Sequence, residues 1–245
     1  MKVRKYREAT GMFLVEGWRS VHEVLGRPEL IAAIIATEGS SKEVDWDRLS
    51  ADKIVLVEPR LMRQICATEN PQGIAAIVRK PQWSWEQVTA GDSLLIYLDR
   101  VSDPGNLGSI LRTCWALGVN GVIMSRGCVD LYNPKVVRST MGAILNLPVL
   151  PEAGTAEIVA LQQSGYSVVV TDAEDGRPYY DEDFKVPTII ILGSEGHGVS
   201  WELKALSKAT INIPVEPEVE SLNVAAACAI ITAEARRQRQ EGREH

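Results

Sequence analysis

The sequence predicts an α/β protein built on a mostly parallel sheet, and three observations carry that expectation. Runs that are apolar throughout, such as LLIYL, SVVV and TIIILG, alternate with stretches of helical periodicity in the C-terminal part of the chain. Strands apolar on both sides belong to sheets covered on both faces, which are mostly parallel. A shorter series of the same kind comes first, and a break in period near residues 79–92 separates the two.

Taken in order, FLVEG, IAAIIAT, KIVLVE and GIAAIVR read as four short strands, with helical stretches at 18–25 and 59–67 between them. They make a small α/β domain over residues 1–80. The segment RKPQWSWEQVTAGD follows, where Pro81, two tryptophans and Gly91 interrupt any regular period, and it reads as a linker at 81–91. The second domain spans 92–245. Its strands are LLIYL, GVIM, LPVL, SVVVTDA, TIIILG and TINIP, and its helices fall at 106–117, 134–143, 155–163, 201–206 and 221–240. No internal repeat or low-complexity segment interrupts the alternation.

Composition bounds the function. The chain has 245 residues, 45% of them hydrophobic, enough for two cores. No stretch approaches the roughly 20 uninterrupted apolar residues of a membrane span, and charged residues occupy the N-terminus where a signal peptide needs an apolar core. The expected location is the cytoplasm. Cys66, Cys114, Cys128 and Cys228 sit singly among apolar neighbours, so the pattern points to buried thiols, with neither a disulfide nor a metal site. The net charge of −6 runs against nucleic acid as a partner. Residues 1–80, however, carry 13 Lys+Arg against 11 Asp+Glu, leaving 13 against 21 for the rest. The front domain is therefore the part more compatible with nucleic acid, and Lys2, Arg4, Lys5 and Arg7 are its most obvious phosphate contacts, or else a solvated terminus. His22 and His245 read as surface residues.

Ligands of open parallel sheets bind beyond the carboxyl ends of the strands, which directs attention to three turns. In LDRVSDPGNLGSILRTCWALG, Pro104 and Gly105 make the turn and Asn106 is placed to cap the following helix. Leu107, Ile110, Leu111, Cys114 and Leu117 form its buried stripe. Arg112 lies off that stripe, roughly 9 Å along the axis from Asn106, free to face a ligand or solvent. In ILGSEGHGVS three glycines surround Glu195. That pattern is neither a Rossmann fingerprint nor a Walker loop, which argues against a nucleotide- or NAD-dependent enzyme. In INIPVEPEVESLNVAAACAIITAEARR, Pro214 ends a strand and Ser221, Leu222 and Asn223 open a helix. Ser221 reads either as a plain N-cap or as a site residue. The helix's small-residue stripe, Val224, Ala227, Cys228, Ile231 and Ala235, suits close packing within the chain or against a partner subunit.

In this order, N-x-G-x-x-x-R (residues 106–112), G-x-E-G-x-G (193–198) and I-P followed by S-L-N-V (213–224) resemble the three signature motifs of the SpoU (TrmH-like) RNA 2′-O-ribose methyltransferase family of the SPOUT superfamily. FLVEGWRSVHEVL and ICATENPQGIAAIV are similar to that family's small substrate-binding domain, so the resemblance spans nearly the whole chain. It implies an α/β domain whose C-terminal segment is threaded into a trefoil knot, a homodimer, S-adenosyl-L-methionine as cofactor and RNA, ribosomal or transfer, as substrate.

Carried over residue by residue, the resemblance places the cofactor against main-chain groups of Gly193, Ile213 and Leu222. Arg112 resembles the catalytic arginine, and Asn106, Glu195, Ser221 and Asn223 complete the polar cluster around the ribose. No metal is required. Guanidinium keeps its proton, so Arg112 grips a phosphate and does not serve as a base. His197, inside the second motif, is either a general base or a loop histidine touching cofactor or RNA. The loop VEPEVE departs from the family pattern, with Pro217 and the acids Glu216, Glu218 and Glu220 where a glycine is common, and Ala225 stands where a small hydroxyl residue is common. Those departures leave a second reading, a non-catalytic RNA-binding protein that keeps the knotted fold.

Overall fold

A computed structural model describes residues 1–40, 51–91 and 93–242; His245 lies outside them. By contact density the chain divides into two compact units, Met1–Gln82 with Asp130–Leu145, and Trp83–Val129 with Asn146–His245.

The first unit holds α1 (Arg4–Thr10), β1 (Met12–Glu16), α2 (Trp18–Leu25), β2 (Ile31–Ala36), β3 (Ile54–Leu56), α3 (Pro59–Ile65) and β4 (Ile74–Arg79). Its four-stranded sheet is mixed, in the order β1-β4-β2-β3, with β4 antiparallel to both neighbours and β3 parallel to β2. Helix α1 was not expected from the sequence. Its Arg7 is 4% exposed, pairs with the Asp130 carboxylate and donates to the carbonyls of Met1 and Lys2, each at 2.7 Å. Arg7 is thus a structural residue, and the expected basic run keeps only Lys2, Arg4 and Lys5 at the surface.

The second unit opens with α4 (Trp85–Val88), a single turn inside the segment expected to be a linker, whose Ser84 and Gln87 form a capping box. Val88 is fully buried in the core of this unit. There follow β5 (Leu94–Asp99), α5 (Pro104–Ala116), β6 (Gly121–Ser125), α6 (Pro134–Thr140) and α7 (Ala143–Asn146), the last two grouping with the first unit apart from Asn146. The expected single helix at 134–143 is broken because Met141 and Gly142 both take positive φ, 49° and 92°. The chain continues with β7 (Val149–Ala153), α8 (Thr155–Gln163), β8 (Ser167–Thr171), β9 (Arg177–Pro178), β10 (Thr188–Gly193), α9 (Trp201–Ala205), β11 (Ala209–Asn212) and α10 (Val224–Glu241).

All seven strands of this unit run parallel in the order β7-β6-β5-β10-β8-β11-β9. The α/β class and the mostly parallel sheet are as the sequence predicts. On one face Leu95, Tyr97, Ile123, Val168 and Ile189 pack with Ile158 and Leu161 of α8 and Leu203 of α9. α10 packs on α5 and against β10, with the buried Cys114 and Cys228 sulfurs 3.9 Å apart. Contact with Cys228 and burial both push the Cys114 thiol up, so the pair sits at this interface as packed thiols. Strand order reverses at β5 and β10, and a crevice at such a switch point is where parallel sheets place their ligands.

Candidate active site at the strand switch point

Beyond the carboxyl ends of β8, β10 and β11 lies a cavity of about 370 Å³, within the range of small-molecule and cofactor sites. Gly193, Ile213 and Leu222, expected along the cofactor, all line it, together with Leu192, Ile211 and Ile231. Gly193 is obligatory by geometry, since a Cβ there would stand 2.0 Å from the carbonyl carbon of Gly198. Loop 194–198 folds back against the strand that launches it, closed by a Gly198 N to Ser194 O bond of 2.8 Å.

At Glu195, which lines the cavity, three side chains from distant parts of the chain meet. Asn106 Nδ2 donates to Glu195 Oε1 at 2.6 Å, Asn223 Nδ2 donates to the same oxygen at 2.7 Å, and Asn223 Nδ2 also reaches Asn106 Oδ1 at 3.0 Å. Local structure explains how each is delivered. The cap of α5 is Asp103, which accepts from Asn106 N at 2.8 Å. Pro104 then takes the first helical position, where its missing N–H costs nothing. Asn106 is therefore not the cap expected from the sequence, and its side chain is free for the site.

The last helix begins at Val224 and not at Ser221. Asn223 is its cap, with Oδ1 accepting from Ala225 N at 2.9 Å. That bond turns the amide nitrogen of Asn223 toward Glu195. Ser221 is thereby freed from capping and lines the cavity. Pro217 occupies the second position of a turn closed by a Val219 N to Glu216 O bond of 2.9 Å, a position that suits its fixed φ. Glu216 and Glu218 are exposed.

Arg112 is exposed on α5 and lines neither this cavity nor the neighbouring cleft. His197 lines both. Sequence reasoning missed Asp172 and Lys204, an ion pair on the cavity wall. Burial pushes the Asp172 carboxyl up, but the Lys204 ammonium and the amides of Glu174 and Asp175 outweigh it, leaving its pKa below the ordinary value. The signal was available, because Asp172 directly follows strand β8.

The cluster can accept a hydrogen bond from a hydroxyl. Both amides donate to Oε1 of Glu195, which fixes the carboxylate and leaves Oε2 facing no donor among the described residues. The cavity beside it joins apolar walls to carboxylates at its rim, a lining that fits a cationic adenosyl compound.

The chain is similar to known proteins. The model of the SpoU rRNA Methylase family matches residues 93–233, and that of the MRM3-like substrate binding domain matches residues 1–76. An uncharacterized tRNA/rRNA methyltransferase of Synechocystis sp. is 35% identical over 96% of this chain and 87% of its own. The 23S rRNA (guanosine(2553)-2′-O)-methyltransferase RlmP of Bacillus subtilis is 30% identical over 94% of this chain and 91% of its own. Among solved structures, the SpoU methyltransferase AviRb from Streptomyces viridochromogenes, in complex with the cofactor AdoMet, superposes with a TM-score of 0.85 at 29% identity, covering 98% of this chain and 95% of that one.

Proposed function

Because the chain belongs to the SpoU rRNA methylase family, we propose that the cavity beyond β8, β10 and β11, with the polar cluster around Glu195, is the active site of an S-adenosylmethionine-dependent rRNA ribose 2′-O-methyltransferase. The observation that carries the site assignment is the hydrogen-bonded meeting of Asn106 and Asn223 on Glu195, which lines the cavity.

The cofactor would be held by main-chain groups of Gly193, Ile213 and Leu222, with the Asp172–Lys204 pair at the rim. When bound it supplies an electrophilic methyl group on a sulfonium. The acceptor is a ribose 2′-hydroxyl, a poor nucleophile until its proton is drawn away. Asn223 and Ser221 orient that hydroxyl, and Glu195, fixed by two amides, receives its hydrogen bond. Arg112 binds the adjacent phosphate and stabilises developing negative charge, since a guanidinium does not give up its proton. Positioning and electrostatics of this kind supply most of the rate in such a site. His197 touches cofactor or RNA from the loop.

Residues 1–80 act as the RNA substrate-binding domain, 81–91 as linker and 92–245 as the catalytic domain, its C-terminal segment threaded as a trefoil knot. The active form is a homodimer. That Arg112 lines neither the cavity nor the neighbouring cleft, beside the exposed Trp115 on the same helix, supports its acting across a subunit boundary. Among the described residues no helix is long and apolar enough to cross a membrane, consistent with the cytoplasm as the place of action. The assembled polar cluster disfavours the non-catalytic reading.

The experiment is methyl transfer from labelled S-adenosylmethionine to rRNA, followed by digestion to nucleosides. Label in a 2′-O-methylnucleoside supports the reading, and label on a base or none at all contradicts it.

A further inference from the structure

We infer that Arg100 is an RNA-phosphate-binding residue, serving a second cleft that shares loop 194–198 with the cofactor cavity; the inference rests on the rRNA methyltransferase reading above. This cleft measures about 440 Å³ and shares Ser194, Glu195, His197 and Val224 with the first, adding Arg100 and Ser102. Glu195 therefore lines both spaces, and a nucleotide whose ribose reaches Glu195 can extend a further backbone phosphate, other than the one held by Arg112, into the second.

Arg100 is unusual in its backbone. It follows β5 directly and holds φ at +57°, in the left-handed region that favours glycine or asparagine. Outliers of this kind persist where surrounding structure enforces them, and they cluster at functional sites. Here the enforcement is visible. Arg100 N donates to Ser125 Oγ at 2.9 Å. Its Nε and Nη2 donate to the two oxygens of Asp99 at 3.2 and 3.1 Å, and Asp99, itself 3% exposed, also accepts from Ser200 N at 2.8 Å. The stem of Arg100 rests on Gly127, where an added Cβ would stand 3.3 Å from Arg100 Cγ.

The result is a guanidinium fixed along one edge. Nη1 makes no hydrogen bond among the described residues, and the side chain is 42% exposed. A pre-oriented fork of this kind matches a phosphate. The two carboxylates in the same cleft are already engaged, Asp103 by Asn106 N and Glu195 by two amides, so Arg100 supplies the cation that an RNA backbone meets there.

The test uses Arg100→Asn, since asparagine accepts a positive φ, together with Arg100→Lys. Equilibrium binding of deproteinised rRNA from a strain lacking the gene is measured across a salt series, with S-adenosylmethionine binding by calorimetry alongside. Arg100→Asn is expected to weaken RNA binding about tenfold and to flatten the salt dependence by one phosphate contact, a change in log–log slope of about 0.7, while cofactor affinity stays within twofold. Arg100→Lys should restore the slope but only part of the affinity. An unchanged slope in Arg100→Asn overturns the proposal. So does a parallel loss of RNA and cofactor binding with a lowered melting temperature, which would mark Arg100 as no more than the counter-ion of Asp99. Methyl transfer by the unaltered protein to the same RNA separates a failure of this proposal from a failure of the enzymatic reading.

Discussion

The amide of Asn106 donates to the carboxylate of Glu195 at 2.6 Å across 89 positions of sequence. One residue stands in the first turn of α5, the other in the loop after β10, and the two strands that lead to them, β5 and β10, are neighbours in register from Leu94 and Thr188 onward. The contact is thus a direct product of the strand order. It fixes where the Glu195 carboxylate can be, and Asn223, from the start of α10, closes the cluster.

Asn223 has two roles that substitution can separate. Asn223→Ala removes the cap of α10 and the donor to Glu195, so stability should fall by about 1 kcal/mol and methyl transfer on the order of a hundredfold. Asn223→Asp keeps an acceptor for the cap but loses the donor and sets a second carboxylate against Glu195. Urea unfolding should then read near wild type while activity stays as low as in the alanine variant. Full activity in Asn223→Asp would remove the amide from the mechanism.

Two glycines of the same motif should respond oppositely. A methyl at Gly193 collides with Gly198 and Val199 backbone at 2.0 to 2.3 Å, whereas Gly196 has nothing within 4 Å of its added Cβ. Gly193→Ala should lower the melting temperature and weaken S-adenosylmethionine binding more than tenfold by calorimetry. Gly196→Ala should leave the melting temperature within a degree or two, because surface changes are usually within about 0.5 kcal/mol.

Much of this was legible in the sequence because it is periodic or local. Buried parallel strands are apolar runs, and the three turns that follow β5, β10 and β11 carry Asn106, Glu195 and Asn223 at recognisable spacings. What could not be read depended on competition or on distance. Asp103 and Asn106 are both good caps, as are Ser221 and Asn223, and only Pro104 at the first helical position hinted at the first outcome. The partner of Arg7 lies 123 residues away, and a basic run gives no sign that one of its members turns inward. The strain at Arg100 is a backbone property with no sequence signature at all.

Arg7 should accordingly behave as a core residue. Arg7→Ala strands the Asp130 carboxylate and the carbonyls of Met1 and Lys2, at a cost on the order of 3 kcal/mol in urea unfolding. Alanine at Lys2 and Lys5, both exposed, should cost almost nothing. A reversed order would return Arg7 to the surface.

Cys66 gives a pH signature. Burial first, then the neighbouring Glu16 carboxylate, pushes its thiol from 9.0 up to about 11. A folded-state pKa above the unfolded value contributes stability that is complete below pH 9.0 and is lost as pH rises toward 11. The stability difference between the wild type and Cys66→Ala should therefore shrink across that window, by at most about 1.4 kcal/mol per pH unit. A difference independent of pH would place the thiol in a more solvated setting.

Methylation of a ribose in rRNA by the cluster around Glu195, with Arg112 on the phosphate, should be visible when alkaline-resistant positions in cellular rRNA are mapped. A 2′-O-methyl group blocks cleavage of the phosphodiester beside it. One protected ribose is expected to disappear on deletion of the gene, to return with the wild-type chain and not to return with Arg112→Ala. An rRNA whose protection pattern is the same in all strains would contradict it.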